Sequence, residues 1–276
     1  MIKAEDFVGK EPEQPKEIIQ TDEWYYKDIT YVTNSHLSEF EKGPKHLLKM
    51  YSDIANETRE SSSSQDFGDA WHKKQLEPEV FEETFFILDE SERPEPGKDF
   101  RNAKNRDWKR QQMEIAGEKR ILMGSDFERI IEMEKHFKVA AGSKWLQGMR
   151  TEHVHTKNIV LPSGRSVMVK CKTDADSDDL VIDLKTSKNP VSFPYFKETF
   201  LTYNYDRQMA FYKDITGANQ VWIFATETKA PYSTAIYQVS DESLEVGRQK
   251  YINLLEEFVS FKESKFDVNA LNGGMI

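Results

Sequence analysis

From Gly148 onward the chain leaves helical spacing for alternation, and no other stretch restricts the fold as tightly. Glu152, Val154 and His155 open a strand expected to run to Leu161, where Pro162–Ser163–Gly164 signals a turn. A second strand follows from Ser166 to Ala175, and Ser177–Asp178–Asp179 turns the chain into a third, Leu180 to Thr186. Strands joined by turns this short pair antiparallel, so a meander with acids at its ends is predicted. Successive strand side chains point to opposite faces, which sends Ile182 and Leu184 into a core and sets Asp183 and Lys185 side by side on the other face. The same alternation places Asp174 and Asp176 on a common face, with Asp178 and Asp179 at the turn. Spacing alone does not choose among these acids. The plain alternative is an acidic β-turn, where Asp is favoured because it bonds its own backbone.

Around the meander the pattern is mostly helical. Leu37, Phe40, Leu47, Leu48 and Tyr51 form an apolar stripe over Thr33 to Tyr51, capped by Asn34 or Ser35 and split at Gly43–Pro44. After the serine run Ser61 to Ser64, a helix is expected from about Asp66 to Pro78, with Gly68, His72 and Leu76 on one face. Phe85 to Leu88 suits a buried strand, although so short an apolar run also fits a helix. An amphipathic helix is expected over Ser125 to Val139 and another from about Thr202 to Ile215. A β-rich pair, Gln220 to Thr226 and Tyr232 to Val239, and a last helix from Ser243 to about Lys262 complete the chain.

The 276 residues suffice for one substantial core, read here as a single domain over 21–276 behind a flexible acidic tail, 1–20. No apolar run approaches the roughly 20 residues needed to span a bilayer. One cysteine, Cys171, excludes an internal disulfide and a cysteine-ligated zinc or iron–sulfur site, and fits a reducing cytoplasm. A net charge of −10 argues against coating nucleic acid by bulk positive charge, though local contacts and bound cations remain compatible with a phosphate ligand. One stretch is locally basic: Lys98, Arg101, Lys104, Arg106, Lys109 and Arg110 face only Asp99 and Asp107, an excess of four by this count. It is either a solvated loop and helix face or a DNA-backbone surface.

Several ordered motifs extend these observations. Lys170-Cys171-Lys172-Thr173-Asp174-Ala175-Asp176 followed by Ile182-Asp183-Leu184-Lys185-Thr186 resembles the core of PD-(D/E)xK nucleases, in particular phage and prophage exonucleases of the RecE, lambda-exonuclease-like type. Thr33-Asn34-Ser35-His36-Leu37, Gly68-Asp69-Ala70-Trp71-His72, and Tyr205-Asp206-Arg207-Gln208 with Tyr212 resemble the family's amino-terminal, histidine and glutamine motifs in the same order. The resemblance covers roughly residues 30 to 260. It implies an α/β fold, a central mixed sheet whose antiparallel catalytic meander is flanked by helices.

The resemblance also implies roles. Asp176 falls at the first metal-binding aspartate and Asp183 at the second, with the Leu184 backbone carbonyl as a further ligand. Lys185 would position or activate the attacking water, and Glu152 and His72 would stand beside the metal. Gln208 and Tyr212 would orient water, lysine or phosphate. One departure stands out: Thr173-Asp174-Ala175 replaces the family's common Gly-Arg-Pro or Gly-Arg-Leu, so an extra acid stands on the ligand strand. Outside the resemblance, His72 reads as a hydrogen-bonded helix histidine, Glu152 as a strand-edge acid and Tyr212 as core. His153 and His155 receive no role. The implied activity is Mg²⁺-dependent DNA hydrolysis, with Mn²⁺ able to substitute, on double-stranded ends and 5′ to 3′. It would expose single strands for an annealing protein, in a ring-shaped homo-oligomer in the cytoplasm of a phage-bearing bacterium. The alternatives are an endonuclease, a single-strand or flap nuclease of the same fold, and a catalytically silent DNA-end-binding protein.

Overall fold

The computed structural model describes residues 21–58, 62–140 and 142–264, so the expected tail at 1–20 lies outside the described residues. The chain begins with α1 (Asp22–Lys27), α2 (Asn34–Glu41) and α3 (Pro44–Ala55). Thr33, one residue before the expected cap, accepts a hydrogen bond from the His36 N–H, while His36 returns a contact to the Thr33 N–H. Pro44 opens α3 at a position whose N–H has no helical partner, so the ring that broke α2 starts its successor. Ser62 and Gln65 cap α4 (Ser63–Leu76) reciprocally, which starts this helix three residues earlier than Asp66 suggested. Pro78 again begins a helix, α5 (Pro78–Thr84).

Next come β1 (Phe85–Leu88), α6 (Ala103–Ala116), β2 (Arg120–Met123), α7 (Gly124–Val139) and α8 (Gly142–Trp145). Strands β1 and β2 pair in parallel as a small separate sheet. The meander is formed by β3 (Arg150–Val160), β4 (Ser166–Asp176) and β5 (Leu180–Ser187). Two helices follow, α9 (Tyr195–Thr202), which was not expected, and α10 (Tyr205–Thr216), which matches the helix expected from about Thr202 to Ile215; Asn204, left-handed at φ 52°, separates them. Strands β6 (Gln220–Glu227) and β7 (Thr234–Gln238) and helix α11 (Asp241–Glu263) complete the fold.

The main sheet has the order β3-β4-β5-β6-β7, antiparallel except for the parallel pair β5/β6. A parallel partner needs a crossover, and α9 with α10 supplies it. Two apolar cores result. On one face Val169, Cys171, Val181, Ile223 and Ala225 meet helices α2, α10 and α11. On the other, Ala175, Ile182, Leu184 and Phe224 meet Trp71 of α4 and Met133 and Phe137 of α7. Each fully buried aliphatic side chain contributes roughly 1.5–3 kcal/mol, so β5, apolar on both sides, is held firmly in register.

One quoted motif is structural. Arg207 is 1% exposed, and its guanidinium reaches Asn34 Oδ1 at 3.1 Å, Ser38 Oγ at 2.6 Å and Glu41 Oε2 at 2.7 Å. A planar fork with five donors can satisfy three acceptors at once, and here it ties α10 to α2. Gly247 of α11 packs against the Asp206 and Arg207 backbone so closely that any Cβ there would overlap it. These contacts fix α10, and with it Gln208 and Tyr212, against the sheet.

Candidate active site

Alternation on β5 delivers what it predicts: Ile182 and Leu184 are buried in apolar surroundings, and Asp183 and Lys185 share the opposite face. Asp183 Oδ2 lies 2.7 Å from Lys185 Nζ, and Oδ1 accepts a 3.1 Å hydrogen bond from Gln208 Nε2 of α10. Lys185 Nζ also sits 4.8 Å from the centroid of the Tyr205 ring. Tyr212, one helical turn beyond Gln208, bonds to it, and burial holds its phenol well above the ordinary range.

Asp174 approaches from β4. Its Oδ2 accepts the Leu184 N–H at 2.6 Å, and Oδ1 lies 3.5 Å from Nδ1 of His72 on α4. His72 in turn bonds the Leu184 backbone. Glu152 completes the group: ligand atoms of His72, Glu152 and Asp174 all lie within 4.8 Å of one another. Glu152 Oε2 is 2.5 Å from Lys172 Nζ. The strand carrying Glu152 is kinked there, with φ at 49°, a conformation uncommon for a residue with a Cβ. Such strain persists where the surroundings over-determine it, and it turns this carboxylate toward His72 and Asp174.

Asp176 is elsewhere. Arg150 Nε and Nη2 donate to its Oδ2 at 2.9 and 2.6 Å, Thr173 Oγ1 donates to Oδ1 at 2.8 Å, and His153 and His155 stand 3.4 and 3.3 Å away. The expected common face for Asp174 and Asp176 is therefore not formed, and it is Asp174, not Asp176, that joins Asp183 and Lys185. The reason is local. Val169 and Cys171 face one core and Ala175 the other, so β4 itself loses its period-two phase between Cys171 and Ala175, where the ladder to β3 leaves Glu152 and Asp174 unpaired.

The electrostatics separate the two acids as clearly as the distances do. Burial, then the neighbouring Glu152, pushes the Asp174 carboxyl up to about 7 against the opposing pull of Lys185 and the Leu184 N–H. Burial likewise raises Asp183 to about 6, with Lys185 lowering it and Asp174 raising it further. Lys185 is desolvated too, yet the neighbouring carboxylates of Asp183 and Asp174 outweigh that and hold its ammonium above the ordinary value. His72 is held low, first by burial and then by Lys185. For Asp176 burial is also the largest influence, but bonds from His155, Thr173 and Arg150 overcome it and bring the group down to about 2.

Clustered carboxylates that resist ionisation are short of positive charge. Their hard oxygen donors, with one imidazole, fit a divalent cation such as Mg²⁺ or Mn²⁺, which needs few protein ligands and keeps several waters. Beside them opens a cleft of about 540 Å³, lined by Gln65, Arg129, Thr186, Lys188, Tyr203 and Tyr205 among others. Sequence reasoning missed this cleft; Lys188, three residues beyond Lys185, was its one visible signal. The basic stretch of α6 and its preceding loop is largely self-paired. Glu95, just ahead of these residues, takes Lys104 at 2.9 Å and Lys98 at 3.5 Å, while Asp99 takes Arg101 at 2.8 Å and Asp107 stands 3.6 Å from Arg110.

A mixed sheet flanked by helices, with Asp-x-Lys on its central strand and a second acid on the neighbouring one, defines the PD-(D/E)xK class. The profile of the PDDEXK-like domain of unknown function DUF3799 matches residues 33–269, and the chain belongs to that family. Among solved structures, a candidate exonuclease from Eubacterium rectale superposes with a TM-score of 0.57 at 14% identity, covering 92% of this chain and 89% of that one. It shares the fold. A phage-related exonuclease from Haemophilus somnus 129PT (TM-score 0.27, 15% identity, 57% of this chain and 85% of that one) is a more distant likeness. So is an alkaline exonuclease from Laribacter hongkongensis (TM-score 0.27, 14% identity, 71% of this chain and 94% of that one). No curated protein matches the sequence. Among the described residues no helix is long and apolar enough to cross a membrane.

Proposed function

We propose that the protein is a divalent-metal-dependent exodeoxyribonuclease acting on the ends of duplex DNA, with Asp174 and Asp183 as the acids that hold the metal. One observation carries this reading: strands β4 and β5 and helices α4 and α10 bring Asp174, Asp183, Lys185, His72 and Gln208 to one place. When bound, Mg²⁺ or Mn²⁺ would polarise the phosphoryl oxygen and make water a better nucleophile.

The chain's own residues do the rest. Lys185 presents a fixed ammonium where negative charge develops on the scissile phosphate, and the same group can orient the attacking water. Gln208, by holding Asp183 Oδ1, keeps the carboxylate from rotating, and Tyr212 holds Gln208. Glu152 and His72 line the opposite side as outer ligands or water acceptors. The Leu184 carbonyl, beside His72, remains a candidate ligand. The cleft next to Tyr205, with Arg129, Lys188 and several hydroxyls, suits a phosphate backbone leaving the site. The Lys98 to Arg110 surface is a second, weaker contact, because its charges are shared with neighbouring acids.

The family of phage-type exonucleases that the motifs resemble favours attack at ends, with 5′-to-3′ polarity, supply of single strands to an annealing protein, ring assembly and a bacterial cytoplasm. The test is direct. With Mg²⁺ or Mn²⁺ the purified protein should degrade 5′-labelled linear duplex, releasing label early as mononucleotide, and leave covalently closed circles intact. Cleavage of circles would make it an endonuclease, preference for single strands or flaps would change the substrate, and binding without cleavage would make it an end-binding protein.

A further inference from the structure

A second constellation lies outside this site. His153 and His155, two residues apart on edge strand β3, turn their rings to each other, Nδ1 of the first 3.1 Å from Nε2 of the second. Both face Asp176: His153 Nδ1 is 3.4 Å from Oδ1, and His155 Nε2 is 3.3 Å from Oδ2. Donor atoms ~2.0 Å from one tetrahedral ion sit roughly 3.3 Å from one another, so these three spacings are those of a coordination shell. We propose that His153, His155 and Asp176 form a binding site for a borderline transition-metal ion of the Zn²⁺ type, separate from the Asp174/Asp183 centre.

Three further features support the site. Asp176 is fully buried and oriented by the Thr173 hydroxyl and the Arg150 guanidinium, the kind of outer contact that fixes a ligating carboxylate. Arg150 does not cancel the site's charge, because its Nη1 also donates to Asp178 at 3.0 Å. One guanidinium shared by two carboxylates leaves a net negative charge for an incoming cation. The His153 side chain is 41% exposed, so an ion can enter from solvent and keep water in its remaining positions. Imidazole donors select this site for Zn²⁺, Co²⁺ or Ni²⁺, whereas the oxygen-rich cluster around Asp174 suits Mg²⁺ or Mn²⁺. Bound metal would pin the end of β4 to the edge strand across the kink at Glu152.

The experiment uses the untagged full chain, stripped with chelator and titrated with Co²⁺, whose d–d absorption reports ligand type. One Co²⁺ per chain with nitrogen-ligated bands is expected, displaced by Zn²⁺, retained in Asp183→Asn and weakened at least tenfold in His153→Ala/His155→Ala. His153→Gln, at the more exposed ligand, serves should the double variant fail to fold, and should weaken Co²⁺ similarly. Absence of bands in the wild type would overturn the proposal and leave a hydrogen-bonded His–His–Asp network. Bands that survive both histidine variants but vanish in Asp183→Asn would place the ion at the other centre and overturn it equally. The readout is spectroscopic, so its failure leaves the proposed nuclease standing, and absent cleavage leaves this site standing.

Discussion

Asp174 and Asp176 are the same residue type, two positions apart on one strand, and their surroundings drive them in opposite directions. Asp174 is buried beside Glu152 and Asp183 and is pushed up to about 7; Asp176 is buried among Arg150, Thr173 and two histidines and is brought down to about 2. Burial is the largest influence on both, so burial does not distinguish them. What differs is whether the neighbouring groups donate hydrogen bonds and positive charge or add negative charge. A site that is short of cation until an ion arrives is suited to reversible metal chemistry, while an acid that the protein already pairs is suited to a structural role, which the ion proposed at His153 and His155 would reinforce.

The largest expected effect tests that contrast by activity. Asp183→Ala and Lys185→Ala should each lower cleavage at least about 10³-fold, equivalent to roughly 4 kcal/mol of transition-state stabilisation, with circular dichroism unchanged. Asp174→Asn should cost about 10²-fold or more and Asp176→Asn less than tenfold, in the same gel assay. Equal losses from the last two would erase the distinction between the acids.

Next in size is Gln208→Ala, which frees Asp183 Oδ1 without removing a ligand. About a tenfold drop in kcat is expected, with a rise in the Mg²⁺ concentration needed for half-maximal rate. No change in either quantity would mean that the 3.1 Å bond positions nothing.

The pH dependence of stability should show the two acids with opposite slopes. In the metal-free protein Asp174 and Asp183 keep their protons to about 7 and about 6, above the unfolded carboxylate range near 4. The folded state therefore binds more protons between about pH 4 and 7, and these groups make Tm fall as pH rises through that window. Asp176 acts the other way: its contribution is complete above about pH 4 and is lost as pH falls toward 2. Thermal melts of Asp174→Asn should flatten the first slope and leave the second; added Mg²⁺ should also flatten the first. A wild-type slope indifferent to both would contradict the raised values.

Smallest of all is Arg150→Ala. Its guanidinium is nearly half exposed, so the loss should be about 1 kcal/mol, or some 2–4 °C in Tm, with cleavage changed less than threefold. A large loss of activity would show that the two clusters are coupled through β4.

Much of this architecture was legible beforehand, for physical reasons that can be named. The three strands of the meander fall within about two residues of their expected bounds because period-two patterning and Pro/Gly/Asp turns are local signals. Prolines marked helix boundaries correctly, although as starts of α3 and α5 as much as stops. The helix expected from about Thr202 to Ile215 is α10, whereas α9, one short turn before it across the left-handed Asn204, was not foreseen because its eight residues carry only a brief apolar pattern. The pair β1/β2 was only half visible: Phe85 to Leu88 stood out, whereas Arg120–Met123 is a strand because a parallel partner passes beside it. The cleft near Tyr205 was hidden because its lining comes from distant segments.

What the sequence determined alone was periodicity: which stretches alternate, which repeat every three to four residues, and hence that Asp183 and Lys185 must emerge together from a buried strand. What only the tertiary structure decided was phase and company. A loss of phase on β4 between Cys171 and Ala175 separates Asp176 from Asp174, while α4 brings His72 to Asp174 and α10 brings Gln208 to Asp183. Patterns along a chain record how side chains alternate, but long-range packing sets which of them meet, and one local loss of phase is enough to change the answer.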